Sequence, residues 1–307
     1  MKSKKIIIGS RASKLALIYA ERARSKIFEV ASDHRIEEVE IKKITTSGDL
    51  NQKDRLSDIG GKGLFSKQIE NELLNNQIDI AVHALKDMPS EETKGLLINC
   101  FLKRNDPREV LLSKNNKQLK DLKPNSIVGT SSFRREFQLK KIRDDLNYKL
   151  IRGNVDTRIK KLNDNLYDAI ILSFAGIQSL DLKKNISQIF ATSEVIPSAG
   201  QGVIALQCRN NDRDIINVLN QITHKPTHYC VLAERNVLKI LEGDCATPVG
   251  AIANLDGENI NLEAELFSID GKQRFYHRAS RNINSAAELG RGVGEILKKE
   301  SNNSYKR

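Results

Sequence analysis

Short apolar runs alternate with amphipathic stretches through the first two-thirds of this chain, and that alternation restricts the fold more than any other feature. Residues 5–9 (KIIIG) read as a short buried strand. SRASKLALIYAERARSKIF follows, with Leu15, Ile18, Tyr19 and Arg22 at helical spacing. VEIKKITT alternates as a strand does, and GDLNQKDRLSDIGGKG is a long polar, Gly-rich loop. LFSKQIENELLNN restores helical spacing through Phe65, Ile69 and Leu73, and IDIAVHAL is a buried strand stopped by KDMPS. Strand and helix in strict alternation predict an α/β domain with a largely parallel sheet.

The pattern restarts near residue 105. SIVGT is a strand, SSFRREFQLKKIR a helix with serine at its cap, YKLIRG a strand, VDTRIKKLNDN a helix and YDAIILSFA a strand. VIPSAGQGVIALQCR is a Gly/Pro break and then a strand free to re-enter the first domain. After a helix ending at Gly243 come three alternating strands, with Asp256-Gly257 and Asp270-Gly271 as hairpin turns, and a last helix, SAAELGRGVGEILKKE. The expected division is 1–101 with 203–220 as a first α/β domain, 102–202 as a second, and 225–307 as a small C-terminal α+β domain.

Composition narrows the function. At 39% hydrophobic and 29% charged, the chain is globular and has enough apolar residues for true cores. No apolar run approaches a bilayer span, and MKSKKIIIGSRAS holds only three consecutive apolar residues, so a cytoplasmic protein is expected. Four cysteines without a C-x-x-C pair and five histidines without paired spacing predict a reducing compartment and no metal site. Lys plus Arg exceeds Asp plus Glu by 11, which favours an anionic partner: nucleic acid, an anionic membrane or a polyanionic small molecule. Aromatics are 5% with no Trp, so the stacking platforms of nucleic-acid binders are scarce. There is no phosphate-binding G-x-x-x-x-G-K-[ST] run, and GRGVG sits inside a helix rather than after a strand.

Arginine placement is more informative than net charge. Arg11 follows strand KIIIG, and Arg134 and Arg135 fall in the first turn of the helix after SIVGT. Arg152 follows YKLI, Arg158 lies on the next helix, and Lys86 follows IDIAVHA. Ligands of open α/β sheets sit at the carboxyl ends of the strands, where helix N-termini add unpaired N–H groups. Several guanidinium forks at such ends predict an anion cleft. Asp87, in HALKDMP, lies at the same end beside Lys86, where nearby cations favour its charged form. A carboxylate there can stabilise a cation and move protons, or simply cap a turn.

The cysteines separate by setting. Cys100 and Cys208 fall on strands and Cys230 begins a helix, which makes all three small core residues. Cys245 lies in the polar loop LEGDCATPVG and should be more accessible, as a bystander, a nucleophile, a metal ligand or an anchor.

The blocks GSRASKLAL, GGKGLFSKQIENELL, DIAVHALKDMP, KRNDPREVLLS, VGTSSFRR, IRGNVDTRIKKL, YDAIILSFAGI, PSAGQGVIAL and LEGDCATPVG run end to end. Together they resemble the hydroxymethylbilane synthase (porphobilinogen deaminase) family. The resemblance implies two periplasmic-binding-protein-like α/β domains around a cleft plus a small C-terminal α+β domain. It implies a dipyrromethane cofactor held by a thioether to Cys245, and a monomeric transferase of tetrapyrrole (heme) biosynthesis. That enzyme joins four porphobilinogen units with loss of ammonia and releases hydroxymethylbilane by hydrolysis. Asp87 matches the catalytic aspartate. Arg11, Arg134, Arg135, Arg152 and Arg158 match carboxylate-binding arginines, and Ser13, Lys86, Thr130 and Ser132 match other binding positions. Loop 47–63, with Lys62, looks like a mobile cover. Two positions depart from the family pattern: Ser179 stands where an arginine is usual in AGIQSL, and Gln207 replaces the glutamate before C-R. A non-catalytic two-lobed binding protein for a small anionic ligand is the alternative.

Overall fold

The computed structural model describes residues 4–46, 63, 65–243 and 247–306, and the chain divides into two compact units. Among described residues, the first unit takes 4–46, 63, 65–105 and 203–228, and the second takes 106–202, 229–243 and 247–306. The expected cover loop with Lys62, and the expected anchor Cys245, lie outside the described residues, apart from Gly63.

In the first unit, β1 (Lys4–Arg11) pairs parallel with β2 (Ile36–Ile44) on one side and β3 (Ile80–Ala84) on the other. β10 (Ile204–Arg209) enters antiparallel between β3 and β4 (Leu96–Phe101), completing the order β2-β1-β3-β10-β4. The strand after the Gly/Pro break does therefore re-enter the first sheet. The KIIIG run is apolar on both faces because both faces are covered. Ile6 and Ile8 join Ile27 of α1 (Lys14–Glu29) and Leu219 of α6 (Arg213–Ile222) in one core. Ile7, between them, packs with Ile69 and Leu73 of α2 (Lys67–Leu74) on the other face.

The second unit repeats this plan. β6 (Ile127–Gly129) lies parallel between β7 (Asn147–Lys149) and β8 (Ala169–Ser173). β5 (Glu109–Ser113) runs antiparallel to both β8 and β9 (Gln188–Ile189), giving the order β7-β6-β8-β5-β9. The helices are α3 (Phe133–Lys140), α4 (Val155–Asn163) and α5 (Phe174–Ser179). Val128, Leu139 and Ile171 bury one face of the sheet, and Val110, Ile170 and Leu172 the other. Strand periodicity alone did not reveal β5 or β9, which are short segments without a helix between them and the preceding loop.

The same unit holds an antiparallel meander of β11 (Val249–Asp256), β12 (Asn259–Phe267) and β13 (Arg274–Asn282). Its turns fall at the two Asp-Gly pairs, with Gly257 at φ 58° and Gly271 at φ 73°. Helix α7 (Lys225–Leu241) and α8 (Ala286–Ser301) pack against it through Val237, Leu241, Leu289, Val293 and Leu297. The GRGVG run is explained by this contact. A Cβ at Gly290 would overlap the Ala233 carbonyl oxygen, and one at Gly294 would come within 2.8 Å of Ile240 Cβ. Glycine there lets two helices approach closely, which is a packing role. Glu234 of α7, wholly buried, accepts from Gly200 N at 2.7 Å and Ala253 N at 2.9 Å. One carboxylate thereby fixes the Gly-rich break to β11. Helix α7 starts at Lys225, so Cys230 lies inside it rather than at its beginning. Among the described residues, no helix is long and apolar enough to cross a membrane.

Candidate active site

The expected site residues collect at strand ends in each unit. In the first unit the strand order reverses about β1, so the ends of neighbouring β1 and β3 flank a crevice. Arg11 closes β1. Ser13 caps α1, its Oγ accepting from Ala16 N at 3.3 Å. Asp87 ends a 3-10 turn, Leu85–Asp87, placed by two backbone bonds: Leu85 N to Val203 O, and Met88 N to Leu85 O, both 3.0 Å. Arg11, Ser13 and Asp87 line one cavity with Tyr19, Phe65 and His83. The Arg11 guanidinium lies over the Phe65 ring, 4.2 Å from its centroid, an arrangement that orients the fork while leaving its edge for hydrogen bonds. Lys86 is half-buried in the same turn as Asp87.

His83 is buried, and its Nε2 lies 3.2 Å from Gln207 Oε1. Burial pushes its pKa down to about 4; the hydrogen bond to Gln207 opposes that shift, and the nearby Arg11 charge adds to it.

In the second unit, Thr130 follows β6 and is buried, its Oγ1 accepting from Ser132 N at 3.1 Å. Ser132 caps α3, its Oγ accepting from Arg135 N at 3.4 Å. Two hydroxyl residues thus order the turn from β6 into α3, and Ser132 caps the helix there. Arg134 and Arg135 share one carboxylate. Arg134 Nη2 meets Glu109 Oε1 at 2.6 Å, and Arg135 Nη2 meets Glu109 Oε2 at 2.8 Å. Arg134 also donates to Ile196 O at 2.8 Å, and Arg135 to Ile171 O at 3.2 Å. Burial lowers the pKa of Arg134, with Glu109 opposing that shift. The cluster retains one net positive charge, and Arg135 Nε is buried with no hydrogen-bond partner among the described residues.

Arg152 is buried just after the strand end, and Arg158 Nε donates to Gly153 O at 2.8 Å. Gly153 adopts φ 110°, and a Cβ there would sit 2.7 Å from Thr157 Cγ2, so the turn joining the two arginines requires glycine. Ser179 ends α5 with its Oγ buried and unpartnered among the described residues.

The structure thus assembles Arg11, Ser13 and Asp87 in one unit, and Thr130, Ser132, Arg134 and Arg135 around one helix start in the other. Sequence reasoning missed three participants. Glu109 was signalled by an acid opening the apolar strand EVLLS, since a buried acid demands partners. His83 and Phe65 carried no comparable signal, because each reads as a core residue of its own element. Cys100 and Cys208 are buried on β4 and β10, and burial pushes their thiols up to about 12 and about 11, which fits core roles. Among the described residues, no group of His, Cys, Asp and Glu is arranged to hold a metal ion.

Arginines and capped helix starts at strand ends, with one carboxylate in the cavity wall, mark an α/β protein of two five-stranded sheets and a three-stranded meander, with its cations gathered at strand ends. Comparison with known proteins makes the assignment specific. The family model described as porphobilinogen deaminase, dipyromethane cofactor binding domain, matches residues 6–217, and that of the porphobilinogen deaminase C-terminal domain matches 228–299. The porphobilinogen deaminase of Staphylococcus carnosus is 40% identical over 299 residues, covering 97% of this chain and 96% of its own. Those of Syntrophomonas wolfei and Rickettsia typhi are 42% identical over 290 residues and 43% over 294. They cover 94% and 95% of this chain, and 94% and 97% of their own lengths. The chain belongs to the porphobilinogen deaminase family.

Proposed function

We propose that this protein is a transferase that condenses four porphobilinogen molecules, with loss of ammonia, onto a dipyrromethane primer linked by a thioether to Cys245. The linear tetrapyrrole is then released by hydrolysis. The observation that carries this reading is the cavity shared by Asp87 and Arg11, in a chain matched by the two family models over residues 6–217 and 228–299.

The residues suit a dipyrromethane group, whose acetate and propionate arms need cationic and N–H donors. Arg135 Nε supports the fit: a buried donor with no partner among the described residues is costly unless a ligand acceptor completes it. In the second unit we assign Arg135, Arg152, Arg158, Thr130 and Ser132 to carboxylate binding, and in the first unit Arg11, Ser13 and Lys86. When bound, the group supplies a nucleophilic pyrrole carbon to which the next ring is joined. Arg134 contributes by balancing Glu109 and aiming its neighbour. Asp87 assists departure of ammonia, stabilises the positive charge left on the incoming substrate, and accepts the ring proton displaced when the new carbon–carbon bond forms. Lys62 belongs to the loop that covers the site. The sheet β11–β13 with its helices serves as a third domain that presents Cys245. We read the enzyme as a cytoplasmic monomer that uses no metal, nucleic acid or membrane.

A non-catalytic anion-binding protein accounts for the arginines but gives no purpose to Asp87 in the cavity wall. Intact-mass measurement separates the readings. The mature protein should carry two deaminated porphobilinogen units, and Cys245→Ser should lack them. An active protein at its bare sequence mass overturns the primer assignment.

A further inference from the structure

A buried chain of hydrogen bonds runs from the cavity wall to α2, and its polarity is set at one end. Glu70 is 6% exposed. Its Oε2 accepts from Thr93 Oγ1 at 3.0 Å and Ser66 Oγ at 3.4 Å, and its Oε1 accepts from Gln207 Nε2 at 3.0 Å. A carboxylate only accepts, so the Gln207 amide must turn its NH2 towards Glu70 and its carbonyl towards His83. The carbonyl also only accepts, so the ring nitrogen 3.2 Å away, Nε2, must be the donor. That donor is present in the neutral and in the charged ring alike; burial and the nearby Arg11 charge favour the neutral one, in which Nδ1 is an acceptor. The titratable and polar groups that share the cavity or the chain with that ring are Arg11 from β1, Tyr19 from α1, Asp87 from the turn after β3, Gln207 from β10 and, behind it, Glu70 from α2. Among the described residues lining the cavity, Arg11 is the one Lys or Arg.

We propose that Gln207 fixes a proton on His83 Nε2 and, being itself uncharged, leaves the buried ring beside Arg11 neutral, and that His83 is a positioning residue whose neutrality keeps a histidinium from competing for the Asp87 carboxylate. A glutamate at position 207 would set two carboxylates against each other at the Glu70 contact. A proton on His83 would relieve that repulsion and place a second cation beside Asp87. The departure at Gln207 is therefore a choice of charge state for the cavity wall. This inference rests on the reading of Asp87 as the proton-handling group.

Nitrogen-15 histidine NMR of the cofactor-loaded enzyme tests it first. His83 should show the Nε2–H tautomer and should not titrate between about pH 5 and 8. In Gln207→Glu the ring should titrate within that range. Its kcat at the acid end should fall roughly tenfold, because the histidinium engages the carboxylate that must accept the proton, and should recover as pH rises. KM for the anionic substrate should not rise, because a cation has been added; a packing defect would instead depress turnover evenly with pH. The Nδ1–H tautomer in the unsubstituted enzyme overturns the proposal, whether or not the variant folds. So does a Gln207→Glu pH profile parallel to that of the unsubstituted enzyme. Failure of the Asp87 assignment is read separately, as undiminished turnover in Asp87→Asn with the His83 spectrum unchanged.

Discussion

The Arg134 guanidinium meets Glu109 at 2.6 Å, and the Glu109 side chain is wholly out of solvent. Its other oxygen takes Arg135 at 2.8 Å, so one carboxylate balances two cations at the start of α3. Removing it leaves two buried guanidiniums facing each other. Glu109→Ala should lose about 3–5 kcal/mol of stability in chemical denaturation. A loss under about 1 kcal/mol would mean that solvent or a neighbouring group compensates the pair.

Asp87 is half-buried, and the turn that presents it is held by backbone bonds at Leu85 and Met88. Asp87→Asn should therefore fold normally while kcat drops about 100- to 10,000-fold, the usual worth of a positioned acid–base group. Circular dichroism and single-turnover rates on the cofactor-loaded enzyme check both halves of this expectation.

The pH dependence of stability should report His83. Its folded pKa lies near 4, below the ordinary 6.5, because burial disfavours the charged ring. Between those values the unfolded chain binds the proton and the folded chain does not. Stability from this group is thus fully present above about pH 6.5 and is lost as pH falls towards 4. Between pH 7 and 5, the enzyme should lose about 2 kcal/mol more than His83→Gln does. Equal losses in paired urea titrations would show that the ring takes up its proton without unfolding.

Ser179 buries a hydroxyl oxygen that has no partner among the described residues. Ser179→Ala should raise the unfolding midpoint modestly, by the equivalent of about 1 kcal/mol, since an unsatisfied buried polar group is lost. A raised KM with unchanged stability would instead assign that hydroxyl to the substrate.

Both sheets were legible in the sequence where an apolar run was followed by a periodic helix. The runs KIIIG, IDIAVHAL, SIVGT and YDAIILSFA all became parallel strands with residues buried on both faces. β5 was not legible, because EVLLS opens with an acid whose two arginine partners come 25 and 26 positions later. Such a strand reads as amphipathic until its partners are known. The strand-end arginines could be placed by topology, but their division of labour could not. Only the three-dimensional contacts show that Arg134 and Arg135 share Glu109, that Arg134 also takes Ile196, and that Arg135 Nε has no hydrogen-bond partner among the described residues. His83 was hidden for a related reason: its polarity depends on Glu70, two hydrogen bonds away on a different element.

The position of β10 has a consequence for how the protein is made. The first sheet needs residues 204–209 to join β3 to β4, and β4 ends at residue 101. The ribosome must complete the whole intervening α/β segment before that gap can close, a wait of about 5–20 s at ordinary elongation rates. Until then β4 has no strand neighbour, and the exposed edges of β3 and β4 are open to wrong partners. The segment 106–202 contains every strand of its own five-stranded sheet. The second sheet can therefore be finished on the nascent chain while the first, although synthesised earlier, is still incomplete.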